Sequence, residues 1–580
     1  MISEATQRNW KKLNIQTTQG KLTSRANKKL SQRNFIPTEY INHPENLGFI
    51  QNLLNLSRQN KWEINNILLS LAINMLTKSC IISKKHVQQV LEEYPFAHLP
   101  EICAMHIPED EIDLLGLVYQ SLKKEGDKNK GGSYYTPPPI VQEMVFDCDL
   151  TPHQIVLDPC CGSGIFLTQI NNASPQQLYG VDIDPIAVMI AKINLLLKFK
   201  DFSFSPQIYC MNFLEEKSLS LLPHPLHDMS FDYIITNPPW GADANSNTTV
   251  QEISSGETFS YFLVSSFWKL KEQGRLKFLL PESILNVKTH KDIRQFILSH
   301  GNFSKITIYK NIFSKVTTNF LSIEIEKAPS KKEVSINSQG SIRTISTDQF
   351  LSTENYVFSF LTGKDLDIIK STQSQGYYTL HNSLWALGIV TGNNKEKLFD
   401  ENYPGTEEIY TGKEVQSYTL KPAKKFLFYD RNNLQQVAKE DFFRASEKLI
   451  YKFISKKLIF AYDKEQRLVL NSANILIPNI PTMSIKTVMT FLNSELYQYL
   501  YIKLFGESKI LKGNLQELLF PKLTPEEDNI LTRKADHILD GDFTAIQTSN
   551  DFIYKYFNIT KEQQKYIQEI IYGKIIRKYQ

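Results

Sequence analysis

The sequence predicts a doubly wound α/β core of Rossmann-like architecture, set between a helical N-terminal domain and a mixed α+β C-terminal domain. Three observations predict it. Short apolar runs alternate with amphipathic segments from about Gln154 to Lys327, the pattern of a mostly parallel sheet covered on both faces. Residues from about Asn46 to Leu122 keep helical spacing with no strand-like alternation. At 580 residues the chain exceeds the length at which one hydrophobic core stops growing.

The first 38 residues carry Arg8, Lys11, Lys12, Lys21, Arg25, Lys28, Lys29 and Arg33 against the single acid Glu4. Such a segment suits a flexible arm along phosphates, or equally a solvated terminus. Helices follow, for instance over Trp62–Leu76, and the run Lys123–Gly132, charged and with three glycines, marks a joint. We place a helical domain at 1–130, the α/β domain at 131–345 and the C-terminal domain at 346–580. Strands are expected at Gln154–Asp158, Leu178–Asp182, Gln207–Cys210, Asp232–Thr236, Leu276–Leu280, Lys305–Tyr309 and Leu321–Glu326. Between them lie helices such as Pro185–Phe199, whose Ile186, Ile190, Ile193 and Leu197 share one face and whose proline suits a first turn. After Ser330 the alternation stops, and an irregular region rich in Lys, Tyr, Phe and Asn follows.

Composition excludes several classes. A hydrophobic content of 42% with 22% charged residues is that of a folded globular chain. With 65 basic and 61 acidic residues the net charge is only +4, so charge alone does not announce a nucleic-acid binder. The six cysteines form no C-x-x-C pair and no cluster with His at zinc spacing, so no structural metal is expected. No run has the length of a signal peptide or membrane span, and a cytoplasmic protein without membrane contact is expected.

Chemistry concentrates at four strand ends. Ile155–Leu167 reads as a strand, a tight turn with Gly162 and Gly164, and a helix start, where backbone approaches a ligand closely. The third glycine of a nicotinamide fingerprint would fall on Leu167, so that reading fails. One β-α unit later Asp182, followed by Ile183, is placed to accept ribose hydroxyls. Asn212 and Phe213 after the third strand could bond and cover an adenine. After the fourth strand comes Asn237-Pro238-Pro239-Trp240. Two prolines cannot continue a ladder. They fix the backbone so that the Asn237 side-chain carbonyl and the Pro238 main-chain carbonyl can point at one amino group. An aromatic amino nitrogen is a poor nucleophile because its lone pair is delocalised. Two acceptors on its hydrogens favour a pyramidal nitrogen and stabilise the positive charge that develops during attack. Trp240 offers a flat surface for a base flipped out of its duplex.

These residues resemble the N6-adenine (or N4-cytosine) amino-methyltransferases, whose signature is Asn or Asp, Pro, Pro, then an aromatic residue. The motif order resembles the gamma group, and the resemblance implies a class I methyltransferase domain using S-adenosyl-L-methionine. It further implies that Tyr135 and Thr136, in Gly132–Pro138, meet the cofactor. Asp158, Pro159, Cys160, Gly162 and Gly164 would form the methionine-binding loop, with Asp182 and Ile183 at the ribose. Many relatives carry Asp where this chain has Asn212, before Phe213. Asn311–Phe320 resembles the segment whose aromatic, here Phe313, stacks on the base opposite Trp240. Leu387–Asn394, Ile409–Lys413, Lys448–Tyr451, Lys457–Tyr462, Phe491–Ser494 and Phe520–Lys522 resemble a TaqI-type specificity domain. Interleaved Lys, Arg, Asn, Tyr and Phe around Lys448–Arg467 suit a reader of DNA.

The resemblance implies an adenine-specific DNA methyltransferase acting on double-stranded DNA, the modification enzyme of a bacterial restriction–modification or defence system. Four rivals stand beside it. N4-cytosine can be held by the same acceptors. A fused nuclease would need a Pro-Asp…Glu-x-Lys arrangement that residues 1–130 lack, so a restriction endonuclease is expected as a separate protein encoded with it. Methylation of a protein glutamine poses the same chemical problem, but Trp240 and the large reader-like domain count against it. An intact Asn-Pro-Pro-Trp counts against a DNA-binding subunit that has lost catalysis. Cys160 is not placed as the nucleophile of a cytosine-C5 enzyme, since it sits in the cofactor loop.

Overall fold

The computed structural model describes residues 36–108, 111–124, 136–214, 226, 228–240, 250, 252–309, 320–338, 340–353, 355–505 and 509–576. Tyr135, Phe313, the basic arm up to residue 35 and residues 125–132 of the joint lie outside the described residues. The chain divides into two compact units, with the described residues up to Ser359 in one and those from Phe360 onward in the other.

In the first unit β1 (Val156–Asp158), β2 (Leu178–Asp182), β3 (Gln207–Cys210), β4 (Phe231–Thr236), β5 (Leu270–Pro281), β6 (Asn302–Tyr309), β7 (Phe320–Glu326), β8 (Glu333–Ser338) and β9 (Ser341–Ser346) form one sheet. Its order is β3-β2-β1-β4-β5-β7-β6-β8-β9. The strands from β3 to β5 are parallel. β7 enters antiparallel to both β5 and β6. All three residues of β1 are buried, as are the last six of β5, which is why these strands read as mainly apolar runs, with Asp158 and Lys277 the exceptions.

Three features differ from the sequence reading. β5 begins at Leu270, earlier than expected, because its polar start, Lys271-Glu272-Gln273, lies ahead of an irregularity in its pairing with β4. The sheet also continues beyond Ser330. β8 pairs parallel with β6, and β9 turns back antiparallel on β8. This hairpin escapes a periodicity reading because only Val334 and Ile336 of β8 and Ile345 of β9 are buried. Finally, contacts draw no division near residue 130. Helices Glu45–Asn60, Ile64–Lys78, Lys85–Glu92 and Leu114–Leu122 pack in the core of the catalytic sheet, where Leu68, Leu71, Leu115 and Val118 join Ile190, Ile193 and Leu196.

That shared core explains the helix Pro185–Lys198. The sequence predicted one apolar face, but ten of its residues are buried because the sheet lies on one side and the N-terminal helices on the other. Its start is set by Asp184, whose side chain accepts from Ile186 N at 3.0 Å, and by Pro185 in the first turn.

The second unit holds an antiparallel sheet β10 (Leu384–Leu387)-β16 (Ala473–Ile477)-β13 (Lys448–Lys452)-β14 (Phe460–Asp463). A smaller sheet contains β12 (Phe426–Leu427), β11 (Glu407–Tyr410) and β15 (Leu468–Val469). Helices from Ile485–Asn493 to Lys561–Ile576 pack on the larger sheet through Val488, Phe491, Leu496 and Tyr497.

Candidate active site

From β1 the chain moves outward to β2 and β3, then returns to β4 on the other side of β1. In open α/β sheets the crevice outside the carboxyl ends at such a reversal is where ligands bind. Asp158 ends β1, Asp182 ends β2, Asn212 and Phe213 follow β3, and Asn237 follows β4. The topology therefore brings to one edge residues spread over about eighty positions of sequence.

The turn after β1 docks on β2. Cys161 N donates to Val181 O at 2.8 Å and Gly162 N to Asp182 Oδ2 at 2.8 Å. Gly162 (φ 51°) and Gly164 (φ 78°) take the left-handed conformation that this turn needs. A side chain on Gly164 would also press on Ala191 Cβ, 3.1 Å away, where the next helix crosses Pro185–Lys198.

The same turn is tied to β4. Thr236 Oγ1 donates to Asp158 Oδ1 at 2.6 Å, and Cys160 Sγ lies 2.9 Å from Thr236 Oγ1. Asp158 is 1% exposed, and its second carboxylate oxygen, Oδ2, is buried without a hydrogen-bond partner among the described residues. Burial pushes the Asp158 carboxyl up to about 7, against the hydrogen bonds from Thr236 and Cys160 N. Asp182 is also raised, by burial first, although Asp184 N and Gly162 N donate to it. The buried Asp158 and half-buried Asp182 at these strand ends thus favour a positive group nearby. Burial raises the Cys160 and Cys161 thiols well above the usual range, with Asp158 and Asp182 adding to it, so neither is a thiolate nucleophile.

Beyond Thr236 the Asn237 amide donates from Nδ2 to Thr136 Oγ1 at 3.0 Å. In this arrangement the amide nitrogen faces Thr136 and the carbonyl oxygen points away from it. Thr136 itself is 4% exposed, so the contact is held in a dry setting. Pro238 is buried, and Trp240 is held by its indole N–H on Leu279 O at 3.3 Å, with its ring 6.2 Å from that of Phe320. Asn212 Oδ1 accepts from Leu214 N at 3.1 Å, closing a local turn. Phe213 is buried and stacks on Phe262, centroids 5.8 Å apart. Ile183 is 68% exposed beside Asp182, an apolar side chain open to a ligand.

Residues 110–357 match the family model of the N-6 DNA methylases, and residues 407–518 match the TaqI-like C-terminal specificity domain. Residues 110–357 are therefore similar to the N-6 DNA methylases. Among curated relatives the chain is similar to the type II methyltransferase M.VspI of Vibrio sp. (strain 343), 26% identical over 353 residues, covering 58% of this chain and 83% of that protein. It is also similar to the type I restriction enzyme EcoEI methylase subunit of Escherichia coli, 27% identical over 229 residues, 36% of this chain and 45% of that one. In fold it resembles the type IIL restriction-modification enzyme MmeI bound to DNA, with a TM-score of 0.55 at 12% identity, covering 98% of both chains.

This methylase uses S-adenosylmethionine, and the residues present fit it. A cationic, nucleoside-bearing molecule suits the unpartnered Asp158 Oδ2, the open backbone at Gly162, around which an added Cβ would meet nothing within 4 Å, and the exposed Ile183. Sequence reasoning missed Thr236, Asp113, Ser163 and Asn194 of the methylase. Thr236 left a faint signal as the one polar residue ending the buried run Tyr233–Ile235, and it is 0% exposed. No helix among the described residues is long and apolar enough to cross a membrane.

Proposed function

We propose that this DNA methyltransferase transfers the methyl group to the exocyclic N6 of an adenine flipped out of double-stranded DNA at a short specific sequence. The observation that carries the reading is the Asn237–Thr136 hydrogen bond of 3.0 Å, next to the Asp158–Thr236 pair. It engages the amide nitrogen of Asn237 at the end of β4, and in our reading the carbonyl is left for the incoming amino group. The Asn237 side-chain carbonyl and the Pro238 carbonyl accept the two amino hydrogens, so the nitrogen lone pair localises for attack and the developing charge is stabilised. Trp240, anchored on Leu279 O, stacks on the base, and Phe313, outside the described residues, is our candidate for its other face.

Asp158, Gly162, Gly164, Asp182, Ile183, Asn212 and Phe213 hold the cofactor, with Pro159 and Cys160 shaping its loop. When bound, the sulfonium of S-adenosylmethionine supplies an electrophilic methyl group, so no enzyme nucleophile is required. The Asn237 and Pro238 carbonyls would hold the amino group in place for that transfer, and the amino proton would pass to solvent. The TaqI-like region reads the sequence. The methyltransferase relatives support a place in a restriction–modification system, to which our reading adds a separate endonuclease as partner.

The test is methyl transfer in vitro from labelled cofactor to unmodified bacterial DNA, followed by digestion to nucleosides. N6-methyldeoxyadenosine is expected. N4-methyldeoxycytidine would keep the acceptor chemistry and correct the base. Label in protein and none in DNA would contradict the reading.

A further inference from the structure

The N-terminal helical region reaches the cofactor crevice through one short helix. Asp113 caps the nine-residue helix Leu114–Leu122, its Oδ1 accepting from Gly116 N at 2.9 Å. The same carboxylate accepts from Asn194 Nδ2 at 2.8 Å and from the hydroxyl of Ser163. Asn194 donates again to Ser163 O at 2.9 Å. Ser163 stands between Gly162 and Gly164, at the apex of the turn after β1. Asp113 is 4% and Asn194 7% exposed, and Ser163 is half-buried, so most of this network is shielded from water. Residue 116 must be small for it to form, because a Cβ there would lie 2.2 Å from Asp113 Oδ2.

The other end of the helix grips the second loop. The Tyr119 hydroxyl and Lys123 Nζ, the latter at 2.8 Å, both donate to Asp184 Oδ2. Asp184 N in turn donates to Asp182 Oδ1 at 2.9 Å, so the hold on Asp184 reaches the carboxylate at the end of β2. One rigid element therefore ties both walls of the crevice, the turn after β1 and the turn after β2. A glycine turn in left-handed conformation has little stiffness of its own. Besides its bonds to Val181, Asp182 and Thr236, its shape in the absence of ligand depends on what holds Ser163.

We propose that Asp113, Asn194 and Lys123 are positioning residues that pre-form the cofactor pocket, and that the helix Leu114–Leu122 acts as a clamp on its two loops. The inference rests on the reading that S-adenosylmethionine binds at the ends of β1 and β2. A loop held in its binding shape spares the ordering cost that a free loop incurs on binding, so the clamp sets cofactor affinity rather than the chemical step.

The test is calorimetric titration of the full-length protein with S-adenosylhomocysteine, together with thermal unfolding and kcat at saturating cofactor. Asp113→Ala is expected to raise Kd about tenfold, or about 1.4 kcal/mol, with kcat changed by less than about threefold. Asp113→Asn keeps an acceptor for Gly116 N and a polar group facing Ser163, and should return Kd to within about threefold of wild type. Lys123→Gln, at a side chain 26% exposed and tolerant of replacement, should raise Kd about threefold with no change in the thermal midpoint. An unchanged Kd in Lys123→Gln and in Asp113→Ala, or a loss of kcat at unchanged Kd, overturns the inference. If Asp113→Ala does not fold, Lys123→Gln decides alone. Failure of the wild type to bind S-adenosylhomocysteine would instead remove the underlying cofactor reading.

Discussion

At the scale of the residue, the orientation of a single amide governs the chemistry. Asn237 donates to Thr136, and Thr136→Val removes that acceptor at nearly constant volume. The loss of one hydrogen bond at the reacting amide is expected to lower kcat about tenfold while cofactor Kd stays within about twofold. A weakened Kd with normal kcat, measured by the same titration and turnover assays, would assign Thr136 to the cofactor instead. Asp158 makes a prediction about pH. Its carboxyl rises from 3.8 unfolded to about 7 folded, chiefly by burial, so folding favours its protonated form. Its contribution to stability is full below about pH 4 and is lost as pH rises towards 7. In the cofactor-free protein, Asp158→Asn should therefore gain thermal stability relative to wild type between pH 4 and pH 7, and a constant difference across that window would contradict this. Asn237 to Trp240 was legible because the motif is contiguous. Thr236 and Asp113 were not, because their partners Asp158 and Ser163 lie 78 and 50 residues away and no local pattern announces them.

At the scale of the element, strands buried on both faces were the most legible, since β1, β2, β4 and the centre of β5 read as apolar runs. The edge hairpin β8-β9 was hidden because its outward positions are mostly polar and one of its isoleucines, Ile342, is 69% exposed rather than buried. In the second unit a polar feature decides how β13 and β14 pair. Lys448 Nζ lies 2.5 Å from Asp463 Oδ2 with both side chains fully buried, and Arg467 also reaches Asp463 at 3.0 Å. Removing one member of a buried pair leaves the other uncompensated. Lys448→Met should cost about 3–5 kcal/mol in urea denaturation, and adding Asp463→Leu should recover a large part of it. A cost under about 1 kcal/mol would show that Arg467 alone satisfies Asp463.

At the scale of the molecule, the resemblance to a methyltransferase domain followed by a specificity domain was legible, but the way the N-terminal helices join the first was not. Amphipathic helices announce that they bury a face without saying against what. Here Leu68, Leu71, Leu115 and Val118 share their core with Ile190 and Ile193. Deleting residues 45–122 should therefore expose that face and yield aggregated protein, whereas a chain ending at Ser359 should stay soluble and bind S-adenosylhomocysteine. Sedimentation and calorimetry on the two truncations check this.

Adenine methylation at N6 is tested most simply by single-molecule sequencing of genomic DNA from a methylation-deficient bacterial host expressing the chain. N6-methyladenine confined to one short motif is expected, and its loss with Asn237→Ala, whose turnover should fall on the order of a hundredfold or more. Unmodified DNA from a host that holds folded, cofactor-binding protein, or a modification that persists in Asn237→Ala, would contradict it.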